Sequence, residues 1–420
     1  SKEQNTNTKE IDIMNKLQYM EKWLQLSQKM VKKGFTWSTV EQENEYHQYM
    51  SFNVLGMKQK QWDDIQIATS RIGNIVNKAY KIILADKSLQ AKLGLPAETM
   101  EAIQIPSDYF SYFSRLDLIV SDGQIKLIEI NCDTPTGYLE TSVANEIITA
   151  DKGFKSPNEL EINIFRAWRM IEKEYAITDE TVYFTSYGEN EEDRQTVLFN
   201  MKCSGMNAEY IAVEDIVIDE NGLYDLKGDK IEFLYRLYPL EFLPTDVDGD
   251  GREIGKMFLN HIADGTVKII NPPSSFMMQS KAVMAVIWSF YNSKRTDLFT
   301  SEELQDIATY FLPTTFDNRF TGEKYVEKPV FGREGGGVVI LDEINSVIEK
   351  DEENWYSEFN KIYQQYMPMP DYTVDTWNGE YTGKLLVGSF LIGGEPSGLF
   401  LRVGEKITGN LSMFCAVTVV

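Results

Sequence analysis

The stretch RLDLIVSDGQIKLIEINCDTPTG, Arg115–Gly137, limits the possible folds more than any other part of the chain. Asp122-Gly123 between two apolar-rich runs is a hairpin signal. Loop length decides which residues share a face. A two-residue loop pairs Asp117 with Ile128 and mixes charged with aliphatic side chains on both faces. A three-residue loop, Asp122-Gly123-Gln124, pairs Asp117 with Glu129 and Arg115 with Asn131. Leu116, Leu118, Val120, Ile128 and Ile130 then form one apolar face, and Arg115, Asp117, Glu129 and Asn131 share the other. A one-residue slip flips every side chain, so the pattern prefers the odd loop.

That register sets two carboxylates opposite each other, about 5 Å apart at Cβ, which is destabilising unless something neutralises them. Asn131 adds an oxygen and Arg115 a positive charge. Oxygen ligands without histidine or thiolate suit Mg²⁺ or Mn²⁺, especially where phosphate oxygens complete the shell. The alternative is a surface ladder held by salt bridges.

The rest of the chain narrows the chemistry. It has two histidines, His47 and His261, both among helix-like residues and neither beside a second metal-ligand type. HExxH, GxSxG and the GxxxxGK[ST] phosphate loop are absent. Any reaction must therefore run on carboxylates, lysines, arginines and backbone amides. The 420 residues suffice for two or three domains of about 100–200 residues. With 43% hydrophobic and 25% charged residues, the composition is that of a globular protein. A net charge of −23 disfavours nucleic acid and anionic membranes as partners and favours cations, including metals and polyamines. No apolar run is long enough for a membrane span, and SKEQNTNTKE carries no secretory signal. Three scattered cysteines suggest a reducing, cytoplasmic setting.

Residues from Ile11 to Leu93 read as helices. One stripe is Ile13, Leu17, Met20 and Leu24; another is Ile65, Ala68, Ile72, Ile75, Val76, Ala79, Ile82 and Ile83. Strands at Val182–Thr185, Ile211–Val213 and Ile231–Leu237 alternate with helical patterns at Glu159–Tyr175 and Glu191–Met201, as in an α/β module. Thr245–Arg252 reads as a boundary loop, and Ser274–Phe290 as a helix. Strands resume from Tyr325, split by a helical stretch near Asn354–Gln365. The expected domains are a helical segment (1–105), an inserted α/β substrate domain (151–245) and a catalytic region (106–150 with 246–420).

KPVFGREGGGVVIL reads as strand, glycine-rich loop, strand. Gly332, Gly335, Gly336 and Gly337 allow close backbone approach, and Lys328 and Arg333 add cations, so the loop can cradle phosphate or be a plain turn. Asp246-Val-Asp248-Gly-Asp250-Gly251 opens like a calcium loop, but Met257 stands where its bidentate glutamate belongs. It reads as a solvated acidic turn.

Taken together, these motifs resemble the glutathionylspermidine synthase synthetase domain. Arg115-x-Asp117 and Glu129-x-Asn131-x-Asp133-Thr134-Pro135-Thr136 look like its metal hairpin. Lys328-Pro329 with Gly332-Arg333-Glu334-Gly335 is similar to its ATP lid, and Tyr238-Pro239-Leu240-Glu241 to its Tyr-Pro-Trp-Glu segment. EEDRQT and GSFLIGGEPSGLFLR also fit, so the likeness spans roughly 105–415. It implies an α+β fold, an ATP-grasp with a pre-ATP-grasp-like α/β domain and an N-terminal helical layer. It also implies a ligase that joins a small-molecule acid to an amine through an acyl phosphate. By motif, Asp117, Glu129 and Asn131 would ligate two Mg²⁺ ions, and Arg115 would stabilise the transferring phosphoryl group. Lys281, Lys328, Arg333, Glu334 and Gly335 would hold ATP phosphates, and Gln364, Gln365, Tyr366 and Met367 would line its base. Thr134, Glu191, Glu192 and Arg402 would face the substrates.

Three departures stand out. About a hundred residues precede the hairpin, too few for the family's amidase domain. The lid reads Gly335-Gly336-Gly337, and the tail Ser412-Met413-Phe414 lacks the usual arginine and histidine. Conserving the ATP and metal motifs while losing tail residues argues for a different acid or amine. A catalytically silent nucleotide binder, and a ligase of amino acids or peptides, remain alternatives.

Overall fold

The computed structural model describes residues 2–332, 336–351, 360–405, 407 and 412–420, with side chains from residue 15 onward. Its centre is a seven-stranded sheet. The strand order is Met50–Met57, Met413–Val419, Glu395–Gly404, Gly379–Ile392, Phe113–Ser121 and Gln124–Asn131, with Asp371–Thr376 also paired to Gly379–Ile392. Only the first pair is parallel.

Period-2 alternation sorts this sheet into two faces. Leu399, Leu401 and Val403 enter one core together with Leu116, Leu118 and Val387. Phe390, Phe400, Phe414 and Ala416 enter the other. The Gln59–Leu84 helix covers the first face with Ile65, Ala68, Ile72, Ile75, Val76, Ala79 and Ile83, the stripe read from the sequence; Ile82 is only half-buried. Full burial of each isoleucine is worth about 1.5–3 kcal/mol. Gly73 lets the helix approach the sheet, since a Cβ there would sit 2.6 Å from Leu391 Cδ2.

On the second face lies a four-stranded parallel sheet, ordered Lys268–Ile270, Phe233–Arg236, Val182–Ser186, Ala208–Ala212. The helices Leu160–Tyr175 and Glu191–Ser204 flank it. This sheet runs past residue 245, because its outer strand is Lys268–Ile270. Trp168 packs on Phe113, Phe184 and Tyr235, binding the two sheets through one aromatic core. A third, antiparallel sheet is ordered Thr314–Thr315, Lys361–Gln365, Tyr325–Pro329, Val339–Leu341, Val347–Lys350. The glycine-rich loop joins two antiparallel strands of this sheet, as its sequence suggested.

Four local expectations fail. The helical reading breaks between residues 39 and 57, where a hairpin (Thr39–Gln42, Glu45–Gln48) precedes the Met50–Met57 strand. Glu43 and Asn44 adopt positive φ at its turn, and the strand's partner lies about 360 residues away, beyond the reach of local periodicity. The first helix, Lys2–Val31, docks through Trp23, Leu26 and Met30, leaving Leu17 61% and Leu24 49% exposed. Trp23 decides that face, since its indole also donates to Met50 O at 3.0 Å. The expected helix Ser274–Phe290 is two helices, Pro273–Gln279 and Ala282–Asn292, broken at Ser280-Lys281. Lys361–Gln365 is strand rather than helix, while 352–359 lie outside the described residues.

Among the described residues no helix is long and apolar enough to cross a membrane.

Candidate functional site

The hairpin reaches the expected register by an unexpected route. Its loop is the two residues Asp122 and Gly123, at φ 51° and 74°, with Ser121 paired to Gln124. Positive φ at both positions gives a turn whose twist matches the strands. Leu118 therefore pairs with Leu127. The ladder then shifts, and Asp117 pairs with Glu129 and Arg115 with Asn131. The extra residue sits in a bulge at Ile128, not in the turn, which corrects the three-residue loop. Leu127 takes Ile128's expected place in the core, and Ile128 turns toward a cavity beside Ile119. Bulges of this kind re-aim side chains next to sites.

Asp117 is 1% exposed and takes four donors. Arg115 Nε lies 2.8 Å from Oδ1; Arg115 Nη2, Asn131 Nδ2 and Arg402 Nη2 lie 3.3, 3.1 and 3.0 Å from Oδ2. Burial pushes this carboxyl's pKa upward, but Arg115 and Arg402 outweigh it and hold the group below the usual carboxylate range. Arg115 and Arg402 both lie over the Phe400 ring, at 5.3 and 5.0 Å. Gly388 makes room, since a Cβ there would meet Arg115 Cδ at 2.8 Å. Arg115 Nη1 also donates to Thr136 O at 2.6 Å.

Glu129 pairs with Lys281, Oε1 to Nζ 3.3 Å, and Lys281 donates to Gly332 O at 2.9 Å. The break between the two helices creates this position: Lys281 N bonds Val330 O, and Ser280 Oγ bonds Leu93 O. Lys328 donates to the bulge carbonyl of Ile128 at 2.9 Å and to Gln364 Oε1 at 2.7 Å. Burial lowers its pKa to about 8, Lys281 adding to the effect and Glu129 opposing it.

All these groups face one cavity of about 830 Å³, which Thr134, Glu192, Gln365, Tyr366, Met367 and Tyr49 also line. Glu191 does not line it; its carboxylate turns to Arg194 and Gln195 on its own helix. Arg333, Glu334 and Gly335 lie outside the described residues. Neither histidine is at the cavity. His261 is buried with Nε2 2.7 Å from Asp219 O, and His47 lies on the edge hairpin, not a helix. Among the described residues no three His, Cys, Asp or Glu gather as a metal site. Asp117, Glu129 and Asn131 form a mixed set of two carboxylates and an amide, a hard-oxygen donor set.

Three supports escaped the sequence reading. Asn271 accepts from the Tyr112 and Phe113 amides and donates to the Phe113, Cys132 and Asp133 carbonyls, holding the hairpin mouth open. Arg236 grips Asp133 at 2.6 and 3.2 Å, both residues 1% exposed, and ties the parallel sheet to the loop before Thr134. Tyr49 reaches the cavity from the edge-strand region misread as helix. Only Asp133 carried a signal, through its place in the NCDTPT motif.

Comparison with known proteins matches residues 18–420 to the family described as glutathionylspermidine synthase preATP-grasp. A putative acid–amine ligase of Haemophilus influenzae is 26% identical over 319 residues, covering 72% of this chain and 73% of its own. A glutathione synthetase-like effector from Globodera pallida superposes with a TM-score of 0.61 at 11% identity, over 95% of this chain and 96% of the other. A putative gamma-glutamylcysteine synthetase from Methylobacillus flagellatus gives 0.43 at 12% identity, over 74% and 82%.

Proposed function

Since the chain belongs to the glutathionylspermidine synthase family and has its ATP-grasp type of fold, we propose that it is an acid–amine ligase that consumes ATP. A carboxylate takes the γ-phosphoryl group of ATP, and an amine displaces phosphate from the acyl phosphate to give an amide. The observation that carries this reading is the convergence of Arg115, Arg402 and Asn131 on Asp117 beside the Glu129–Lys281 pair, within one cavity.

Lys281 and Lys328 bind the phosphates, and Gln364, Gln365, Tyr366 and Met367 flank the base. Arg115, fixed by Asp117, Thr136 O and the Phe400 ring, stabilises charge on the phosphoryl oxygens without reorganising. Glu129 and the Asn131 carbonyl oxygen, beside the ionised Asp117, would fit a hard cation. One or two Mg²⁺ ions held there would supply charge neutralisation on the phosphate oxygens. Thr134 faces the acid. Glu192 faces the amine in preference to Glu191, whose carboxylate is taken by Arg194.

The test is ADP release with ATP, Mg²⁺ and panels of carboxylic acids and amines, beginning with glutathione and spermidine. A ligase releases ADP only when both an acid and an amine are present. ATP binding without turnover for any pair would leave the silent nucleotide binder. Turnover with amino acids or peptides but no polyamine would redirect the product assignment.

A further inference from the structure

Glu140 stands apart from the groups used so far. It opens a five-residue π-helical turn, Glu140–Ala144, and is 2% exposed. Its Oε1 accepts the Trp37 indole N–H at 2.7 Å and the Tyr49 hydroxyl at 3.3 Å. Its Oε2 is buried without a hydrogen-bond partner among the described residues. Burying a carboxylate oxygen without a partner is costly. A glutamine would keep both Oε1 bonds without burying a carboxylate. Burial raises the Glu140 pKa, against its own backbone amide, the Trp37 and Tyr49 bonds and the charge of Arg115. Tyr49 lines the cavity, and its phenol feels the charges of Glu140, Glu192 and Arg402.

We propose that Tyr49 and Glu140 form a proton relay that removes the ammonium proton from the amine substrate before it attacks. The proposal rests on the ligase reading above. An amine reaches the cavity as R–NH₃⁺, which has no lone pair to offer. One N–H proton passes to Tyr49 Oη as the Tyr49 hydroxyl proton passes to Glu140 Oε1. This leaves R–NH₂, neutral Tyr49 and a protonated Glu140. The freed nitrogen lone pair forms the C–N bond. The C–O bond to phosphate then breaks with its electron pair on phosphate, which takes the second nitrogen proton. Glu140 returns its proton to solvent after release. Tyr49 is the catalytic member; Glu140 acts through it as a positioning and proton-accepting residue.

Hydroxylamine separates the relay from the rest of the reaction, because it is largely unprotonated at neutral pH and attacks acyl phosphates without losing a proton first. Wild type, Tyr49→Phe and Glu140→Gln are assayed for ADP release with ATP, Mg²⁺ and glutathione, using spermidine or hydroxylamine as nucleophile. In both variants the ratio of spermidine to hydroxylamine rates is expected to fall about 10²-fold, the usual scale of general-base catalysis. The spermidine rate should partly recover as pH rises and free amine accumulates. Equal losses with both nucleophiles, or no loss, overturn the relay. If wild type forms no hydroxamate with any carboxylic acid, the ligase reading fails and the relay fails with it. Tyr49→Phe keeps the ring, so the test stands even if Glu140→Gln misfolds.

Discussion

Two buried carboxylates, Asp117 on the cavity wall and Glu140 behind Tyr49, are treated in opposite ways. Asp117, on the sheet, has both oxygens bonded, with two guanidiniums and an amide converging on them. Glu140, reached through Tyr49, has one oxygen shared by an indole and a phenol and the other without a hydrogen-bond partner among the described residues. Burial raises both pKa values. The guanidiniums reverse that effect for Asp117, and nothing comparable reverses it for Glu140. The contrast separates a charge kept fixed from a charge able to change. An Asp117 whose ionised form is favoured orients Arg115 and Arg402 in advance, whereas a carboxyl whose neutral form is favoured by burial can take a proton.

Breaking the fixed side should have the largest effect. Asp117→Ala leaves two guanidiniums facing each other in a buried site and should cost about 3–5 kcal/mol in urea unfolding. The sign with pH follows. Because its folded pKa is depressed, the stability Asp117 contributes is present above its unfolded value of about 3.9 and lost as pH falls through the lower folded value. The variant should lack that part of the wild-type acid transition.

Glu129→Gln should come next. It keeps the shape of the site while removing the charge opposite Asp117, so ATP turnover should fall about 10²–10³-fold with the fold intact. Unchanged turnover at the wild-type Mg²⁺ dependence would falsify the role given to the metal. Lys328 gives a smaller, pH-resolved effect. Its folded pKa of about 8 lies below the unfolded value of about 10.4, so the unfolded chain binds more protons between the two. Stability should rise with pH across that window, while ATP affinity falls as the ammonium discharges. Calorimetric ATP titrations on either side of about pH 8 check this, and Lys328→Met should flatten both trends. The smallest effect belongs to Glu140→Gln in the absence of substrate. It should change the unfolding free energy by no more than about 1 kcal/mol, because the Oε1 bonds survive. A loss as large as that of Asp117→Ala would remove the distinction between the two carboxylates.

Parts of this arrangement were legible before any coordinates. Period-3.6 spacing gave the Gln59–Leu84 helix and its buried face, apart from Ile82. Asp-Gly marks the hairpin, and the separation of charged from aliphatic side chains onto two faces fixes the Asp117–Glu129 pairing. The loop has two residues rather than the expected three, because the turn is not the one place that can absorb the extra residue. A bulge at Ile128 satisfies the same face pattern and also presents a carbonyl to Lys328. The helix across Ser274–Phe290 was misread for a similar reason: apolar residues run through Ser280-Lys281, and only packing against Leu93 and Val330 breaks it.

The sequence by itself determined which groups carry charge on the hairpin and that they share a face. Those properties depend on residue identity and a repeat of two, both local. Only the tertiary structure decided which groups meet across the chain. Arg402 reaches Asp117 from 285 residues away, Lys281 reaches Glu129 through a broken helix, and Trp37 and Tyr49 meet Glu140 across an edge misread as helical. Such contacts have no local period. They depend on how separate strands stack into one sheet, and burial there sets which carboxylate stays charged and which can take a proton.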